Sequence, residues 1–404
     1  MKKVIHAIIS VVLISVLAII GVVAFRLFIF PQKTLQEQIV KITVNPPAQD
    51  IGELMLSEVA ESVEYVPLQT TDSNLIGNVN IFDVSSNYIV VLCSKTSIVY
   101  LFKRNGEFIS QIGSPGLGPE EYPPKQVGSL FIDEDNKQIL IQCNSPSRFM
   151  IYNLISGKHE KNISLDESTG KFLRKQDNAF LVSTKNVDGN VPYVYEIRAR
   201  DFNLMNEQIK TVAFETMGSG KTMFPAPINY EYKGRIQTKE RTLNDTIYGL
   251  DKDVILKPIY TLNAGNYEVT TELRGDAVNS FNRIPNYVVF LSIAETKNNL
   301  LFSYVYQRKD IFDYYDKTKQ KTYHLSSEKG IPNDYDGGID YWPQRQDNDL
   351  WYAFVHAHQF EEQMELQKKL TPKGSQQAVE KYNTMLKKLA PDDNPVLVIV
   401  KLKE

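Results

Sequence analysis

The feature that most constrains the fold is a series of short strand patterns that repeats from about Glu61 to the C-terminus. In one pattern a polar turn precedes an apolar run, and the turn asparagines are Asn87, Asn136, Asn178, Asn298 and Asn348. These turns are 49, 42, 120 and 50 residues apart, so the longest step has room for a further, degenerate unit near Lys233. Short apolar runs between turn residues are typical of β-strands and not of helices.

A second pattern repeats in phase with the first and consists of two strands joined by a polar turn. Its turn centres are Gly106, Gly157, Asn203, Lys252 and Lys317, at steps of 51, 46, 49 and 65 residues. A unit of about 40–50 residues with about four strands is typical of a propeller blade, because one small sheet buries both faces only when neighbours stack on it. We therefore predict an all-β, six-bladed β-propeller over residues 58–404.

Two apolar segments at the ends of this region indicate how the ring closes. Val63–Leu68 near its start and Val396–Leu402 at its end both have strand patterns. Pairing between them would complete the last blade from both termini and would leave no exposed strand edge there. Two separate β-sandwiches are the alternative arrangement of the same strands.

One stretch, at about residues 358–390, departs from the strand patterns. Phe360 and Met364 are spaced as neighbours on one helical face, and Ser375 is a suitable N-cap for a second helix that ends before Pro391. We predict a C-terminal helical insertion in the last blade. It packs on the ring or, alternatively, is reserved for a partner.

The N-terminal residues 1–31 have the pattern of a membrane anchor or signal segment. Val4–Phe25 is a run of 22 uncharged, mostly apolar residues, which at about 1.5 Å per helical residue spans the roughly 30 Å hydrocarbon core. We expect an N-terminal transmembrane helix that anchors an extracytoplasmic (periplasmic) domain to the inner membrane. Cleavage near Val22–Ala24, followed by export, is the alternative. Residues 32–57 are predicted to be a linker.

Composition and charge exclude several classes of protein. The chain is 42% hydrophobic with 43 aromatic residues among 404, which supports a large core and excludes disorder. The formal charge is −3, which argues against nucleic-acid binding because such proteins present a basic surface. Cys93 and Cys143 are predicted to be buried free thiols, with a disulfide as the alternative.

Four stretches resemble a family of exported bacterial six-bladed β-propeller proteins that is distantly similar to NHL-repeat propellers. They are VEYVPLQTTDSNLIG (63–77), GSPGLGPEEY (113–122), LNDTIYGL (243–250) and DDNPVLVIVKLK (392–403). The resemblance implies an extracytoplasmic propeller without an assigned ligand. Many members begin with a lipid-attached cysteine, and this chain has the long apolar segment in its place.

No motif in the sequence identifies a catalytic or metal-binding residue. Met217–Thr222 resembles the end of a phosphate-binding loop, but Glu215 occupies the position of a required glycine. His356 and His358 could share one face of a strand, yet no third ligand is evident. We therefore predict no catalytic residue, no metal and no cofactor.

Two loops and one arginine are candidates for ligand binding. The loop Gly113–Tyr122 has more glycine and proline than a blade turn needs, and the segment Asp334–Trp342 places aromatic residues beside carboxylates. The candidate residues are Glu120, Glu121, Tyr122, Arg148, Tyr335, Asp336, Tyr341 and Trp342. The alternatives are packing of the first loop on the next blade, an ordinary blade connection for the second, and a surface salt bridge for Arg148.

These observations support a membrane-tethered, extracytoplasmic propeller that binds a protein or a small polar ligand without catalysis. The competing hypothesis is a metal-dependent hydrolase or lyase with its site in the central channel, assembled from side chains of several blades. A third hypothesis is a scaffold within an envelope complex.

Overall fold

The computed structural model describes residues 39–404, apart from 168, 177–178, 218–225, 277–279 and 368–369. The chain divides into two compact units, Met1–Val40 and Lys41–Glu404, and of the first unit only residues 39 and 40 are described. The second unit is an all-β structure of short sheets with a few helices.

Four sheets form separate blades, and consecutive strands within each blade pair antiparallel. Blade 1 contains β4 (Val79–Val84), β5 (Tyr88–Cys93), β6 (Val99–Lys103) and β7 (Phe108–Ile112). Blade 2 contains β8 (Val127–Asp133), β9 (Gln138–Asn144), β10 (Ser147–Asn153) and β11 (His159–Ser164). Blade 3 contains β12 (Thr169–Gln176), β13 (Ala179–Thr184), β14 (Tyr193–Ala199) and β15 (Leu204–Lys210). Blade 4 contains β20 (Val289–Glu295), β21 (Asn299–Tyr306), β22 (Lys309–Asp316), β23 (Lys321–Leu325) and the short β2 (Ile51–Gly52).

The remaining strands form one nine-stranded sheet. Its order is β1 (Val40–Thr43), β19 (Leu256–Asn263), β18 (Thr246–Leu250), β17 (Arg235–Lys239), β16 (Ile228–Tyr232), β24 (Arg345–Asp347), β25 (Leu350–Val355), β26 (Val396–Leu402) and β3 (Ala60–Pro67). The prediction of six blades is therefore wrong: the arrangement is propeller-like, with four separate blades and this larger sheet.

A single parallel pairing joins the two halves of the nine-stranded sheet. Glu231 of β16 pairs with Asp347 of β24, and Asn348 donates from its backbone N–H to the Glu231 carbonyl at 2.9 Å and from Nδ2 to Glu231 Oε1 at 2.7 Å. The sequence periodicity counts four-strand units, but it contains no signal for hydrogen bonding between the first strands of two units. For this reason the number of separate sheets that was predicted from the sequence is wrong.

The predicted pairing of the chain ends is confirmed. β26 lies between β25 and β3, and it pairs antiparallel with β3 from Val396 opposite Pro67 to Leu402 opposite Ala60. Residues more than 300 positions apart in sequence thus complete one sheet. Their pairing covers backbone groups that an exposed edge strand would leave unpaired.

Residues that were predicted to be part of a linker contain two strands. β1 is the edge strand beside β19, and Ile51 of β2 pairs in parallel with His324 of β23. Gly52 lies so close to blade 4 that a Cβ there would be 2.3 Å from Tyr314 Oη. The chain at this point is therefore part of the sheet structure.

The helices are short. They are α1 (Leu56–Val59), α2 (Thr271–Gly275), α3 (Ser280–Arg283), α4 (Ala357–Gln367) and α5 (Gln376–Leu386), with 3-10 turns at Gly265–Tyr267 and Ile284–Asn286. Ser375 caps α5 by accepting from the Ala378 N–H, and Phe360 and Tyr382 are buried against the nine-stranded sheet near Tyr65. Among the described residues no helix is long and apolar enough to cross a membrane. The predicted anchor at Val4–Phe25 lies outside these residues.

The core lies between facing sheets. Blades 2 and 3, for example, enclose an aromatic cluster in which Phe149 is 4.5 Å from both Phe172 and Phe202 between ring centroids. Cys93 and Cys143 are free and buried, as predicted. Burial of apolar side chains at about 25 cal/mol per Å² is the main stabilisation available to such small sheets.

Candidate functional site

The loop Gly113–Tyr122 packs on blades 1 and 2. Tyr122 is fully buried, its hydroxyl accepts a hydrogen bond from the Val99 N–H at 3.0 Å, and its ring meets Tyr152 edge-on. Burial raises the pKa of Tyr122 far above its ordinary value. These contacts tie the loop to both sheets that flank it.

Two side chains of blade 2, the candidate Arg148 and its neighbour Tyr152, contact the loop backbone. Arg148 donates from Nη2 to the carbonyl oxygen of Glu121 at 3.0 Å, and Tyr152 donates to the carbonyl oxygen of Glu120 at 2.8 Å. Glu121 accepts the Gly118 N–H with its side chain at 2.9 Å, whereas Glu120 is exposed. Most of these groups hold the loop in place.

The segment Asp334–Trp342 likewise directs its candidates into the protein. The Asp336 carboxylate accepts from Tyr65 Oη at 3.1 Å and from the Gly338 N–H at 3.0 Å, and burial raises the Asp336 pKa. Tyr341 is buried and stacks on Trp351.

The remaining two aromatic candidates donate hydrogen bonds to neighbouring elements. Trp342 Nε1 donates to Ser292 Oγ at 2.7 Å, and Tyr335 Oη donates to the Glu61 carbonyl at 2.7 Å. The structure thus places this group against β3, α5 and blade 4, and it places the Glu120–Arg148 group against blades 1 and 2.

A cavity of about 610 Å³ lies where blade 2, blade 3 and the nine-stranded sheet meet. Its lining is Lys125, Gln126, Asn144, Ser145, Glu167, Gly170, Lys171, Ser183, Thr184, Lys185, Asn186, Val187, Val194, Thr211, Val212, Phe214, Ala226, Pro227, Glu240, Arg241, Thr242, Leu243 and Arg274. The volume is within the range of roughly 300–1,000 Å³ that is usual for small-molecule sites. None of the sequence-predicted site residues belongs to this lining.

The charge of the lining is opposite in sign to that of the whole chain. Five basic residues and two carboxylates face the cavity, whereas the chain carries a formal charge of −3. The hydroxyl and amide side chains between the charged groups give the cavity many additional hydrogen-bonding atoms. Its chemistry therefore suits a polar ligand.

Lys171 reaches the cavity from an irregular part of β12. The register between β12 and β13 shifts between Thr169 and Phe172, and such bulges redirect side chains and often lie beside functional sites. Gly170 permits this geometry because a Cβ there would be 2.4 Å from the Ser183 carbonyl oxygen. Burial, together with the charge of Arg241, lowers the pKa of Lys171.

Two further cations in the lining donate hydrogen bonds to backbone carbonyls. Lys185 Nζ lies 3.2 Å from the carbonyl oxygens of both Asn144 and Glu167. Arg241 donates from Nε to Ala226 and from Nη1 to Phe290 and Leu291, at 2.6–2.9 Å. Burial lowers the pKa of Arg241 to about 10.

Arg274 and Glu240 complete the charged lining. Arg274, on α2, donates to the Asn186 carbonyl at 3.0 Å and lies over the Phe214 ring at 4.6 Å, and burial lowers its pKa to about 10. Burial raises the pKa of Glu240 to about 7, although Lys239, Asn244 and Arg274 oppose the shift. Glu240 Oε2 is buried with no hydrogen-bond partner among the described residues.

Sequence reasoning missed this cavity because its charged residues have no common motif. They are spread from Lys125 to Arg274 and come together only when three sheets pack. The family resemblance gave one weak signal, because its stretch 243–250 begins with Leu243, which lines the cavity. The glycine-rich stretch Met217–Thr222 lies largely outside the described residues.

Strands β4 and β12 and the two central strands β16 and β24 of the nine-stranded sheet bring a second group of charges together. Arg174 of β12 contacts Asp347 and lies 3.5 Å from Glu231, and Arg345 contacts Asp83 at 2.5 Å. Each of these three carboxylates is thus paired with an arginine. Across the described part of the chain, no group of three or more His, Cys, Asp or Glu side chains could hold a metal ion.

The fold and the cavity together define a propeller-like β protein with a polar cavity between its sheets. The profile of a domain family of unknown function, DUF4934, matches residues 39–401, and the chain belongs to this family. The family model that matches is not an NHL-repeat model, so the predicted likeness to NHL-repeat propellers is not supported. A search of curated proteins found no match.

Solved structures from two Bacteroides species are similar to this chain. A "putative exported protein" from Bacteroides fragilis is 19% identical, with 91% of this chain and 100% of that chain covered and a TM-score of 0.68. A member of the DUF4221 family from Bacteroides vulgatus is 13% identical, with 85% and 97% covered and a TM-score of 0.49. The first of these supports the propeller-like fold.

Proposed function

We propose that the protein is an exported, extracytoplasmic binding protein that holds a small polar ligand in the cavity between blade 2, blade 3 and the nine-stranded sheet, without catalysis. The observation that carries this proposal is the convergence of charged, hydroxyl and amide side chains from three sheets on a volume of about 610 Å³. In a concave site, polar groups at defined positions fix the orientation of a small ligand.

The geometry favours a small molecule over a protein as the ligand. The two predicted loops use most of their candidate side chains for internal hydrogen bonds, as Trp342 does with Ser292 and Asp336 with Tyr65. The cavity, in contrast, presents polar groups to a concave space. A metal-dependent reaction gains no support, since the carboxylates Asp83, Glu231 and Asp347 already pair with arginines.

The test is a thermal-shift screen of polar small molecules, followed by calorimetry of the compounds that bind. Val212→Trp adds an indole at the exposed edge of the cavity, and Leu204→Trp adds the same group on the exposed face of β15. We expect Val212→Trp to weaken binding at least tenfold and Leu204→Trp to leave it unchanged. Equal binding by both variants would place the ligand elsewhere and contradict the proposal.

Two further measurements address catalysis and location. A bound ligand recovered from the protein after prolonged incubation should be chemically unchanged by mass spectrometry, and a modified product would contradict a purely binding role. Fractionation of cells that produce the full-length chain should recover it outside the cytoplasm, because the proposed function requires export.

A further inference from the structure

We infer that the ligand of the cavity is a small anion with at least two negative charges, held between Lys171 and Lys185 of blade 3 on one side and Arg241 and Arg274 on the other. This inference rests on the proposed function, since it names the chemical class of the ligand for the same cavity.

Three of these cations lack a carboxylate partner among the described residues. Lys185 and Arg241 donate only to backbone carbonyl oxygens. Lys171 is half-buried, and the nearby charge that shifts its pKa is the cation Arg241 and not a carboxylate. A buried or half-buried cation normally has a paired anion, because removal of its hydration is otherwise costly.

Like charges on Lys171 and Arg241 repel each other across the cavity. The charge of Arg241 disfavours the protonated form of Lys171, in addition to the effect of burial. An anion between the two side chains would offset both costs at once. Hydrogen bonds to ionised partners are also stronger than neutral ones, at about 1.5–3 kcal/mol.

The spread of the cations over the fold favours a ligand with more than one charge. The cations come from different elements: Lys171 from β12, Lys185 from the turn after β13, Arg241 from the turn after β17 and Arg274 from α2. One small monovalent group would contact only part of such a distributed set. A molecule with anionic groups at two or more positions would contact cations on both sides, and its remaining polar atoms could meet Ser145, Ser183 or Thr184.

Glu240 provides a check on the sign of the effect. Its carboxylate lines the same cavity and repels an anionic ligand in proportion to its own ionisation. Removal of this negative charge should therefore strengthen the binding of an anion, whereas it would not strengthen the binding of a neutral or cationic ligand by the same mechanism.

The experiment is calorimetric titration of the folded protein with acetate, succinate and citrate, with sucrose as the neutral probe. We expect affinity to rise from acetate to citrate and to fall with added salt. Lys171→Gln and Lys185→Gln should each weaken citrate binding about tenfold, and Glu240→Gln should strengthen it several-fold. Lys210→Gln, on the exposed face of the same blade, is the matched control and should leave binding unchanged.

The outcomes separate this inference from the proposed function. Failure of all three acids to bind, or affinities that do not depend on charge, would overturn the anion assignment. Binding of sucrose that Val212→Trp abolishes and Lys171→Gln leaves intact would also overturn it while supporting a polar-ligand site. Citrate binding that Lys171→Gln and Lys185→Gln weaken but Val212→Trp does not would contradict the placement of the ligand in the cavity. Circular dichroism of each variant establishes that its fold is retained.

Discussion

At the scale of single residues, the functional proposal depends on side chains whose positions follow from backbone details. Lys171 lines the cavity because β12 has an irregular register, and that irregularity requires a residue without a side chain at position 170. The sequence Thr-Gly-Lys by itself does not predict this irregular register. A glycine in a strand indicates a bulge or a close backbone approach, and here both occur.

Replacement of Gly170 by alanine should destabilise the protein by about 1–3 kcal/mol, because the new Cβ would overlap the Ser183 carbonyl. Urea denaturation monitored by circular dichroism measures this change. Gly77→Ala is the control, since a Cβ at position 77 has only an ordinary contact with Lys95 at 3.8 Å. Similar losses in both variants would contradict the close approach to Ser183 as the cause of the cost.

His324 makes stability depend on pH. Its Nδ1 pairs with the buried Asp313, its Nε2 lies 3.1 Å from the Pro46 carbonyl, and Tyr304 donates to Asp313 at 3.0 Å. Burial opposes protonation, but the hydrogen bond and charge of Asp313 prevail and raise the pKa of His324. Its contribution to stability is therefore complete below the unfolded pKa of about 6.5 and is lost as pH rises through the folded pKa.

We expect the free energy of unfolding of the unmodified protein to fall as pH rises above about 6.5. The double variant His324→Gln/Asp313→Asn, which removes both titrating groups, should lose this part of the pH dependence. Urea denaturation at pH 6 and pH 8.5 provides the comparison, with His358→Gln as an exposed control. A double variant that keeps the full pH dependence would exclude the pair as its source.

At the scale of elements, the long loop after blade 1 acts as a connector between sheets. Its buried tyrosine contacts Val99 of β6 and Tyr152 of β10, and its backbone accepts hydrogen bonds from blade 2. Sequence composition correctly marks this loop as unusual, but glycine and proline content does not distinguish a recognition surface from a packed connection. The direction of its side chains decides between them, and Glu120 alone among the loop candidates remains exposed.

Tyr122→Phe should cost about 1–3 kcal/mol, because the Val99 N–H would lose its acceptor inside the protein. Glu120→Ala should change stability by less than about 0.5 kcal/mol, since exposed substitutions usually do. Both are measured by chemical denaturation, and ligand affinity is measured in parallel. A loss of affinity in Glu120→Ala would support the loop as a recognition surface after all.

At the scale of the whole molecule, closure of the ring makes its two ends depend on each other. β26 is hydrogen-bonded on both sides, to β25 and to β3, and its apolar residues are buried in two clusters of the core. The cavity also belongs to this scale, because it exists only where three sheets meet.

Deletion of residues 396–404 should abolish cooperative unfolding of the entire ring, because β3 and β25 would each lose their partner. Differential scanning calorimetry should show no unfolding transition for this variant. Deletion of Glu404 alone, which lies beyond β26, should leave the transition within a few degrees of the unmodified protein. A truncated protein with one intact transition of reduced enthalpy would indicate two independent halves.

The sequence by itself determined the repeated strands, the strand-rich class and the pairing of the two chain ends, but not the strands β1 and β2 within the predicted linker. Those features follow from local patterns, such as the apolar run of Val396–Leu402, and from the need to cover sheet faces and edges. The tertiary structure alone decided the number of separate sheets, because the parallel pairing of Glu231 with Asp347 joins two runs that are about 115 residues apart. It also decided the candidate site, since Lys171, Arg241 and Arg274 become neighbours only through sheet packing, and a one-dimensional pattern does not record which side chains face a shared space.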